Sequence, residues 1–338
     1  MKKLLMISMI AILAAALAAC GSKADTATPK ADTATPKAET TETTTTSAAA
    51  EPAESKTDGA TRVIQYLGQE YTVPAKVERI AITGTVESME DALVLNVEPV
   101  GAMTSGGKFA EMFKSITSKS ESTGEKIQLN FESILKMKPD VILSSSKFKP
   151  EVGEKLSKIA PTFPVSHLSE NWDANLRLLA ELTGKQDLAE QVLKQYQEEL
   201  EATKGKIQAT MKDKKIIAVR VRAGSLMLYS DKVFFNPLLY TDLGFTAPEE
   251  VKAAKGQENL SLEKLSEMNP DYIIVQYSET ENKATPAVMK DIEGNPIWKN
   301  LKAVKDNHVY VNLINPDAQG GTAWSKINFL KALSEKLN

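Results

Sequence analysis

The chain has few of the residues that build catalytic and metal sites. Its 338 residues include one cysteine and two histidines, His167 and His308. One cysteine excludes an internal disulfide, and two histidines are too few for the set of about three converging ligands that a zinc or manganese receptor needs. A Gly-x-Ser-x-Gly motif, a phosphate-binding loop and a metal-spaced cluster are also absent from the sequence. We therefore expect neither an enzyme nor a resident metal ion or cofactor.

The balance of charge excludes a further class of partner. Lysine and arginine together number 41 against 44 aspartates and glutamates, which gives a formal net charge of −3. Proteins that bind nucleic acid carry a basic patch or tract that neutralises phosphate groups. No such tract occurs in this acidic chain. We therefore expect no nucleic-acid partner.

The start of the chain has the pattern of an export signal followed by a lipid attachment site. Residues 1–19 begin with a basic pair and continue as an apolar stretch, which is too short for a spanning helix of about 20 residues. Residues 17–20 resemble a bacterial lipobox that ends in Cys20. In that class of sequence the cysteine is acylated and becomes the mature N-terminus; the alternative is a free or structural cysteine. We expect an extracytoplasmic protein, anchored by lipid to the cell membrane.

Residues 20–58 differ in composition from everything that follows. The segment 24–30 is repeated immediately at 31–37, and a tract rich in Thr, Glu and Ala comes next. Such a segment has too little apolar surface to offset the entropy lost on ordering. After the anchoring cysteine, the sequence therefore predicts a disordered tether that gives the folded part reach.

A pattern of thirteen residues occurs twice, at 131–143 and again at 262–274. Each copy has an apolar residue, a glutamate, and then Met, Pro and Asp at matching places before a short aliphatic run. Helical spacing of the apolar residues predicts a helix, the Pro-Asp pair ends it, and the aliphatic run is typical of a buried parallel strand. The alternative is a chance match between two ordinary helix–strand junctions. We interpret the repeat as evidence for two similar α/β lobes.

The order of the predicted elements divides the folded chain into three segments. Strands and helices alternate over residues 59–167, which predicts an N-terminal lobe, and again over 213–338, which predicts a C-terminal lobe. Residues 168–212 between them have a helical pattern. Apolar residues recur there every four positions, at Leu188, Val192, Tyr196 and Leu200. The predicted fold is α/β: two Rossmann-like lobes with parallel sheets, joined by one long rigid helix of roughly 25 residues, or about 40 Å.

Two arginines are the strongest chemical signal in the sequence. Arg220 and Arg222 alternate with valines in an aliphatic strand, so both guanidinium groups leave the same face. Buried arginine is rare unless it is paired. The pair could meet carboxylates within its own lobe or lie on an edge strand. The functional interpretation places both at the carboxyl end of a strand, where open α/β sheets bind ligands and where two guanidinium groups would hold an anion.

Three lysines lie near other predicted strand ends. Lys147 follows the aliphatic run of the first repeat copy, Lys126 precedes Glu132 by six residues, and Lys108 follows a pair of glycines. Each of them, taken alone, is consistent with an ordinary solvated lysine. Lys126 and Lys147 become candidates for an anion site because a resemblance unites them with the arginine pair, whereas Lys108 is a candidate from its position alone.

The lipobox, the tether, the duplicated units with their Pro-Asp turns and the joining helix together resemble the metal-chelate-binding lipoproteins of bacterial ABC importers. The chain is most similar to the ferric-siderophore binders, in particular the triscatecholate (bacillibactin-type) binders of Gram-positive bacteria. The resemblance implies a monomer that captures a ferric siderophore and delivers it to the permease of an importer. The implied ligand-binding cations are Lys126, Lys147, Arg220 and Arg222. The implied permease-docking residues are Glu132 and Glu263.

The chemistry of such a ligand agrees with these residues. A ferric triscatecholate carries negative charge outside its metal, and convergent cations offset the cost of removing it from water. The iron needs no protein ligand because the chelator already fills its coordination positions. Tyr277 and Trp324 could flank the catechol rings, although both are equally consistent with the core. A hydroxamate or citrate-type siderophore, haem and cobalamin remain the alternatives.

Overall fold

The structure, a computed structural model, describes residues 59–211 and 213–337. The predicted signal peptide, the lipid attachment site at Cys20 and the predicted tether lie outside these residues. Among the helices of the described ranges, none combines the length and the apolar character needed to cross a membrane. The predicted limits of the two lobes and of the segment between them stay a prediction.

The described chain opens with an antiparallel hairpin of β1 (Thr61–Tyr66) and β2 (Gln69–Pro74). Leu67 and Gly68 form its turn with φ of 47° and 78°, the left-handed backbone that two-residue hairpins favour. Tyr66, the last residue of β1, links the hairpin to the segment after the first sheet. Its buried hydroxyl accepts a hydrogen bond from the backbone N–H of Ser166 at 2.8 Å. Burial raises the pKa of Tyr66 to about 12, so this phenol stays protonated.

The first large sheet has five strands, all parallel, in the order β5-β4-β3-β6-β7. Its central strands are buried on both faces, as expected for strands covered by helices on either side. The strands are β3 (Ile80–Thr83), β4 (Gly101–Thr104), β5 (Glu121–Glu125), β6 (Val141–Ser145) and β7 (Thr162–Val165). The accompanying helices are α1 (Val86–Leu95), α2 (Lys114–Thr117), α3 (Phe131–Lys136) and α4 (Pro150–Ser157).

Two helices follow the first sheet, α5 (Trp172–Thr183) and α6 (Gln186–Met211). The 26 residues of α6 make a rod of about 39 Å. Ala189 packs in the core of the first sheet, whereas Tyr196 and Leu200 pack in the core of the second. The predicted long helix is therefore present. One position of its predicted stripe is wrong: Leu188 is 38 % exposed, and its neighbour Ala189 is buried instead.

The second large sheet has five strands in the order β10-β9-β8-β11-β12. The parallel strands are β8 (Ile216–Arg222), β11 (Tyr272–Tyr277) and β12 (Val309–Val311). The antiparallel strands are β9 (Ser225–Tyr229) and β10 (Gln257–Asn259). The sequence did not predict this antiparallel edge. Its cause is the two-residue turn of Ala223 and Gly224, with φ of 49° and 77°, because so short a connection joins only antiparallel strands.

Six helices and one π-helical segment, Pro237–Asp242, accompany the second sheet in the described chain. They are α7 (Glu249–Ala253), α8 (Leu262–Met268), α9 (Val288–Gly294), α10 (Pro296–Asn300), α11 (Lys302–Lys305) and α12 (Ala323–Lys336). The predicted α/β fold, with two sheets covered by helices and one long helix between them, is confirmed. The second sheet differs from the prediction in its antiparallel edge.

The two repeat copies form equivalent units, α3 with β6 and α8 with β11. In each unit the aspartate of the Pro-Asp pair ties the turn to the neighbouring strand. Asp140 Oδ2 accepts a hydrogen bond from the backbone N–H of Arg79 at 2.9 Å, just before β3. Asp271 Oδ2 accepts one from the backbone N–H of Lys215 at 2.9 Å, just before β8. In each unit the aspartate therefore holds the start of its own strand beside the start of the neighbouring strand, β6 beside β3 and β11 beside β8.

Two carboxylates on α1 meet the amino end of α12. Glu90 is fully buried and accepts hydrogen bonds from the backbone N–H of Gln319 at 2.6 Å, from Ser325 Oγ at 2.5 Å and from Thr322 Oγ1. Asp91 is also buried, and its Oδ1 has no hydrogen-bond partner. Burial raises the pKa of both carboxyl groups, that of Asp91 most clearly. This contact joins a helix of the first sheet to a helix packed on the second.

We expect the Asp91→Asn variant to be more stable than the wild type at pH 8. Because the folded pKa of Asp91 is raised, the folded chain holds a proton that the unfolded chain has already lost above the ordinary carboxyl range. The free energy of unfolding therefore falls as pH rises through that window. Asparagine does not ionise, so the stability that the variant gains over the wild type should be larger at pH 8 than at pH 5.

Denaturant unfolding at the two pH values measures this difference. Asp306→Asn makes the same chemical change at an exposed position and should leave the free energy of unfolding unchanged at both. A difference between wild type and Asp91→Asn that does not depend on pH would contradict the interpretation.

Candidate ligand-binding cleft

A cleft of about 420 Å³ lies between the loops of the two large sheets. The first sheet contributes residues that follow the carboxyl ends of its strands: Lys126 after β5, Lys147 after β6 and His167 after β7. The second sheet contributes the end of β8 and the loop after β11. Parallel α/β sheets bind ligands at this edge, outside the carboxyl ends of their strands.

Four cations predicted from the sequence line this one cleft. They are Lys126, Lys147, Arg220 and Arg222. Burial lowers the pKa of Lys126, and the positive charges of the other three lower it further, while Glu87 raises it. Lys126 comes from the first sheet and the arginines from the second, so the cations act on one another across the cleft. Repulsion among them is relieved by an anion placed between them.

Arg220 and Arg222 leave β8 on one face, as the alternation predicts. Val219 and Val221, on the other face, are fully buried. Strand β8 is the third of five in its sheet, which excludes the edge-strand alternative. The other alternative, pairing with a carboxylate of the same lobe, is observed in the loop after β11. Glu281 lies 2.7 Å from Arg220 Nε through Oε2 and 3.4 Å from Arg222 Nε through Oε1.

Several polar residues of the cleft were not singled out from the sequence as ligand-binding. Arg222 Nη1 donates to Gln257 Oε1 at 3.0 Å, and Tyr229 donates to the same oxygen at 3.0 Å. Glu281 follows the strand of the second repeat copy, as Lys147 follows the strand of the first. A search for charged residues after both strands of the repeat would have found it.

His167 is another lining residue without a role assigned from the sequence. Its Nδ1 lies 3.0 Å from Ser146 Oγ. Burial lowers the pKa of His167, and the charge of Lys147 lowers it further. The imidazole is therefore neutral at pH 7 and adds a polar group, but no charge, to the cleft wall.

Three other predicted ligand residues lie outside this lining. Lys108 is exposed in the turn after β4. Tyr277 ends β11 and packs against the core of the second sheet, while its backbone N–H donates to Asn312 Oδ1 at 2.8 Å. Trp324 is half-buried in the first turn of α12. The contact of these three with ligand stays a prediction that the lining does not support.

The two predicted docking glutamates occupy equivalent exposed positions. Glu132 lies in the first turn of α3 and pairs with Lys136 at 3.0 Å. Glu263 lies in the first turn of α8. Within residues 59–211 and 213–337, no group of three or more His, Cys, Asp or Glu residues could hold a metal ion.

The sequence of the whole chain is similar to those of known iron-uptake proteins. The chain is 50% identical over 337 residues to the iron-uptake system-binding protein of Bacillus subtilis, covering 100% of this chain and 99% of the relative. It is 28% identical over 276 residues to a probable siderophore-binding lipoprotein of the same organism, covering 78% of this chain and 82% of that relative.

Among solved structures, the chain is similar to two siderophore-binding proteins. The triscatecholate siderophore binding protein FeuA from Bacillus subtilis, complexed with ferri-bacillibactin, superposes with a TM-score of 0.79 at 55% identity, covering 82% of this chain and 98% of that one. The staphyloferrin B complex of SirA from Staphylococcus aureus gives a TM-score of 0.69 at 29% identity, covering 82% and 98%. The family model described as periplasmic binding protein matches residues 106–312. The chain belongs to this periplasmic binding protein family.

Proposed function

We propose that the chain binds an anionic ferric siderophore of the triscatecholate class in the cleft and passes it to an ABC importer. The observation that carries this proposal is the convergence of Lys126, Lys147, Arg220 and Arg222 on one cavity. The similarity to FeuA, whose structure contains ferri-bacillibactin, supports the ligand class. The role is that of a binding protein and not of an enzyme.

The charge of the ligand explains the residues. A ferric triscatecholate has three negative charges on its outer surface, and its six catecholate oxygens already complete the coordination of iron. The protein therefore needs to supply hydrogen-bond donors and positive charge, and no metal ligand. Arginine suits this task because its planar guanidinium group presents several donors to neighbouring oxygens at once.

A neutral or weakly charged ligand fits the cleft less well. A neutral ferric hydroxamate would leave the repulsion among the four cations unrelieved. Citrate-type siderophores, haem and cobalamin differ from a triscatecholate in charge, shape or their need for an axial ligand. Tryptophan-fluorescence titration with ferri-bacillibactin, ferric citrate, a neutral ferric hydroxamate, haem and cobalamin compares the five directly. Saturable, tightest binding of ferri-bacillibactin is the expected result.

Delivery is proposed to use the exposed glutamates at equivalent positions. Glu132 and Glu263 each lie in the first turn of the helix of a repeat unit. Two acidic points could fix the register of the protein on basic pockets of the two halves of an importer. We also propose that the protein acts as a monomer outside the cytoplasm of a Gram-positive bacterium, attached to the cell membrane by a lipid on Cys20.

The Arg222→Ala variant should bind ferri-bacillibactin more weakly by about 1.5–3 kcal/mol, the range of hydrogen bonds to charged groups. Arg222 is 40% exposed in its side chain, so the change removes a donor at the cleft without opening a cavity in the core. A neutral ferric hydroxamate should lose much less affinity. Fluorescence titration of both ligands measures the difference.

Lys255→Ala provides the matched control, because Lys255 is an exposed cation of the same sheet region that is not part of the cleft lining. It should leave both affinities unchanged. Equal small losses for the two ligands in Arg222→Ala would show that the arginine has a structural role only.

The Glu132→Ala, Glu263→Ala double variant should bind ferri-bacillibactin normally and yet support less iron uptake in cells. Both side chains are exposed and neither lines the cleft, so their loss should affect the importer contact alone. The reduction in uptake should exceed that of either single variant. Uptake of radioactive iron and titration of the purified protein are the two measurements.

The control is the Glu198→Ala, Glu201→Ala double variant on α6. These two glutamates are also exposed, and each pairs with a lysine of its own helix. The charge change is therefore the same, and uptake should be normal. Undiminished uptake in the Glu132, Glu263 double variant, or weakened binding in vitro, would rule out the docking role.

A further inference from the structure

Glu281 is an acidic residue in a cleft whose proposed ligand is an anion. Its carboxylate contacts both arginines of β8, at 2.7 Å from Arg220 Nε and 3.4 Å from Arg222 Nε. These guanidinium groups are the ones that the ligand is proposed to engage. Glu281 faces the Nε group of each arginine, and its negative charge repels an anion placed beside them. The ligand can therefore gain the full interaction of both guanidinium groups only after this carboxylate has left them.

The backbone beside Glu281 is held firmly. Asn282 is buried, and its Nδ2 donates to the carbonyl oxygens of Val221 and Ser278, each at 2.8 Å. Its Oδ1 accepts from the backbone N–H of Gly224 at 3.1 Å. The loop is thereby attached to the turn between β8 and β9. A change in the pairing of Glu281 therefore requires rotation of its side chain, and no movement of the loop.

Glu87, the second carboxylate of the cleft, is more deeply buried than Glu281. Glu87 lies in the first turn of α1, is 6% exposed and accepts a hydrogen bond from Thr85 Oγ1 at 3.2 Å. Glu281 is 23% exposed in its side chain and belongs to a loop. Glu281 can therefore rotate towards water, whereas Glu87 is fixed.

The net charge of the cleft lining also favours movement of Glu281 away from the arginines. Four cations and two carboxylates line the cleft, which leaves two positive charges in excess. With Glu281 turned away the excess becomes three, the number that neutralises a ferric triscatecholate. A buried charge is tolerated when it is matched by an opposite one. The match with a triple anion is therefore complete only when Glu281 has left the arginines.

We propose that Glu281 is an internal competitor of the ligand, which pairs with Arg220 and Arg222 and must release them when an anionic siderophore binds. This inference rests on the proposed function. It makes Glu281 a residue that determines specificity: only a ligand that displaces a carboxylate from two arginines gains their full interaction. It also favours release, because the carboxylate can return to the arginines as the ligand leaves.

The test is the affinity of the Glu281→Gln variant for ferri-bacillibactin. Glutamine keeps the size and the hydrogen-bond acceptor of glutamate but removes its charge. We expect affinity to rise on the order of tenfold, since close charge pairs in interfaces are coupled at least this strongly, and mainly through slower dissociation. Titration gives the affinity, and stopped-flow displacement gives the dissociation rate. The affinity for a neutral ferric hydroxamate should not change.

Glu279→Gln is the matched control. It makes the same change in net charge two residues away, at an exposed position outside the cleft lining. Its affinity should equal that of the wild type. Glu281→Ala, which removes the acceptor as well, separates charge from hydrogen bonding and should also bind more tightly.

An affinity of Glu281→Gln equal to or below that of Glu279→Gln would overturn the inference, because it would mean that the carboxylate is neutral to binding or helps it by orienting the arginines. Wild-type protein that shows no saturable binding of ferri-bacillibactin would overturn the proposed function itself. The two failures are therefore distinct, and a melting curve for each variant verifies that it is folded.

Discussion

The buried contact between α1 and the amino end of α12 positions much of the rest of the molecule. Glu90 accepts a hydrogen bond from the backbone N–H of Gln319, and Gln319 lines the cleft, with its Oε1 3.5 Å from Lys126 Nζ. Carboxylates favour the amino end of a helix, where unpaired N–H groups and the helix dipole carry partial positive charge. The contact thus holds α1, which packs on the first sheet, against the amino end of α12, which packs on the second. Through Gln319 it also reaches Lys126, a cation of the cleft.

The cleft is built from opposed charges and not from apolar walls alone. Each arginine of β8 has a polar partner, Arg220 in Glu281 and Arg222 in both Glu281 and Gln257. This arrangement keeps the guanidinium groups in place at the end of a buried strand, where an unpaired cation would be unfavourable. It also means that an anion entering the cleft meets arginines whose Nε groups already face the carboxylate of Glu281.

Sequence reasoning succeeded where local rules decide the structure. The Pro-Asp pairs predicted the two helix–strand units because a proline ends the helix before it, and in each unit an aliphatic strand follows within a few residues. Alternation within one strand predicted the shared face of the two arginines. It failed where distant residues decide: the ion pairs of Glu281 join side chains 61 positions apart for Arg220, and no spacing rule indicates them. The antiparallel edge was missed because Ala223 occupies a left-handed position of the turn, which composition assigns to glycine or asparagine.

The long helix α6 has a consequence for how the molecule melts. Because Ala189 belongs to the core of the first sheet and Tyr196, Leu200, Ile207 and Met211 belong to the core of the second, neither core can lose its packing without exposing one end of a shared helix. Helical order propagates along the backbone from either end. The melting of one sheet therefore removes packing from a helix on which the other sheet also depends, so the stabilities of the two sheets are coupled through α6.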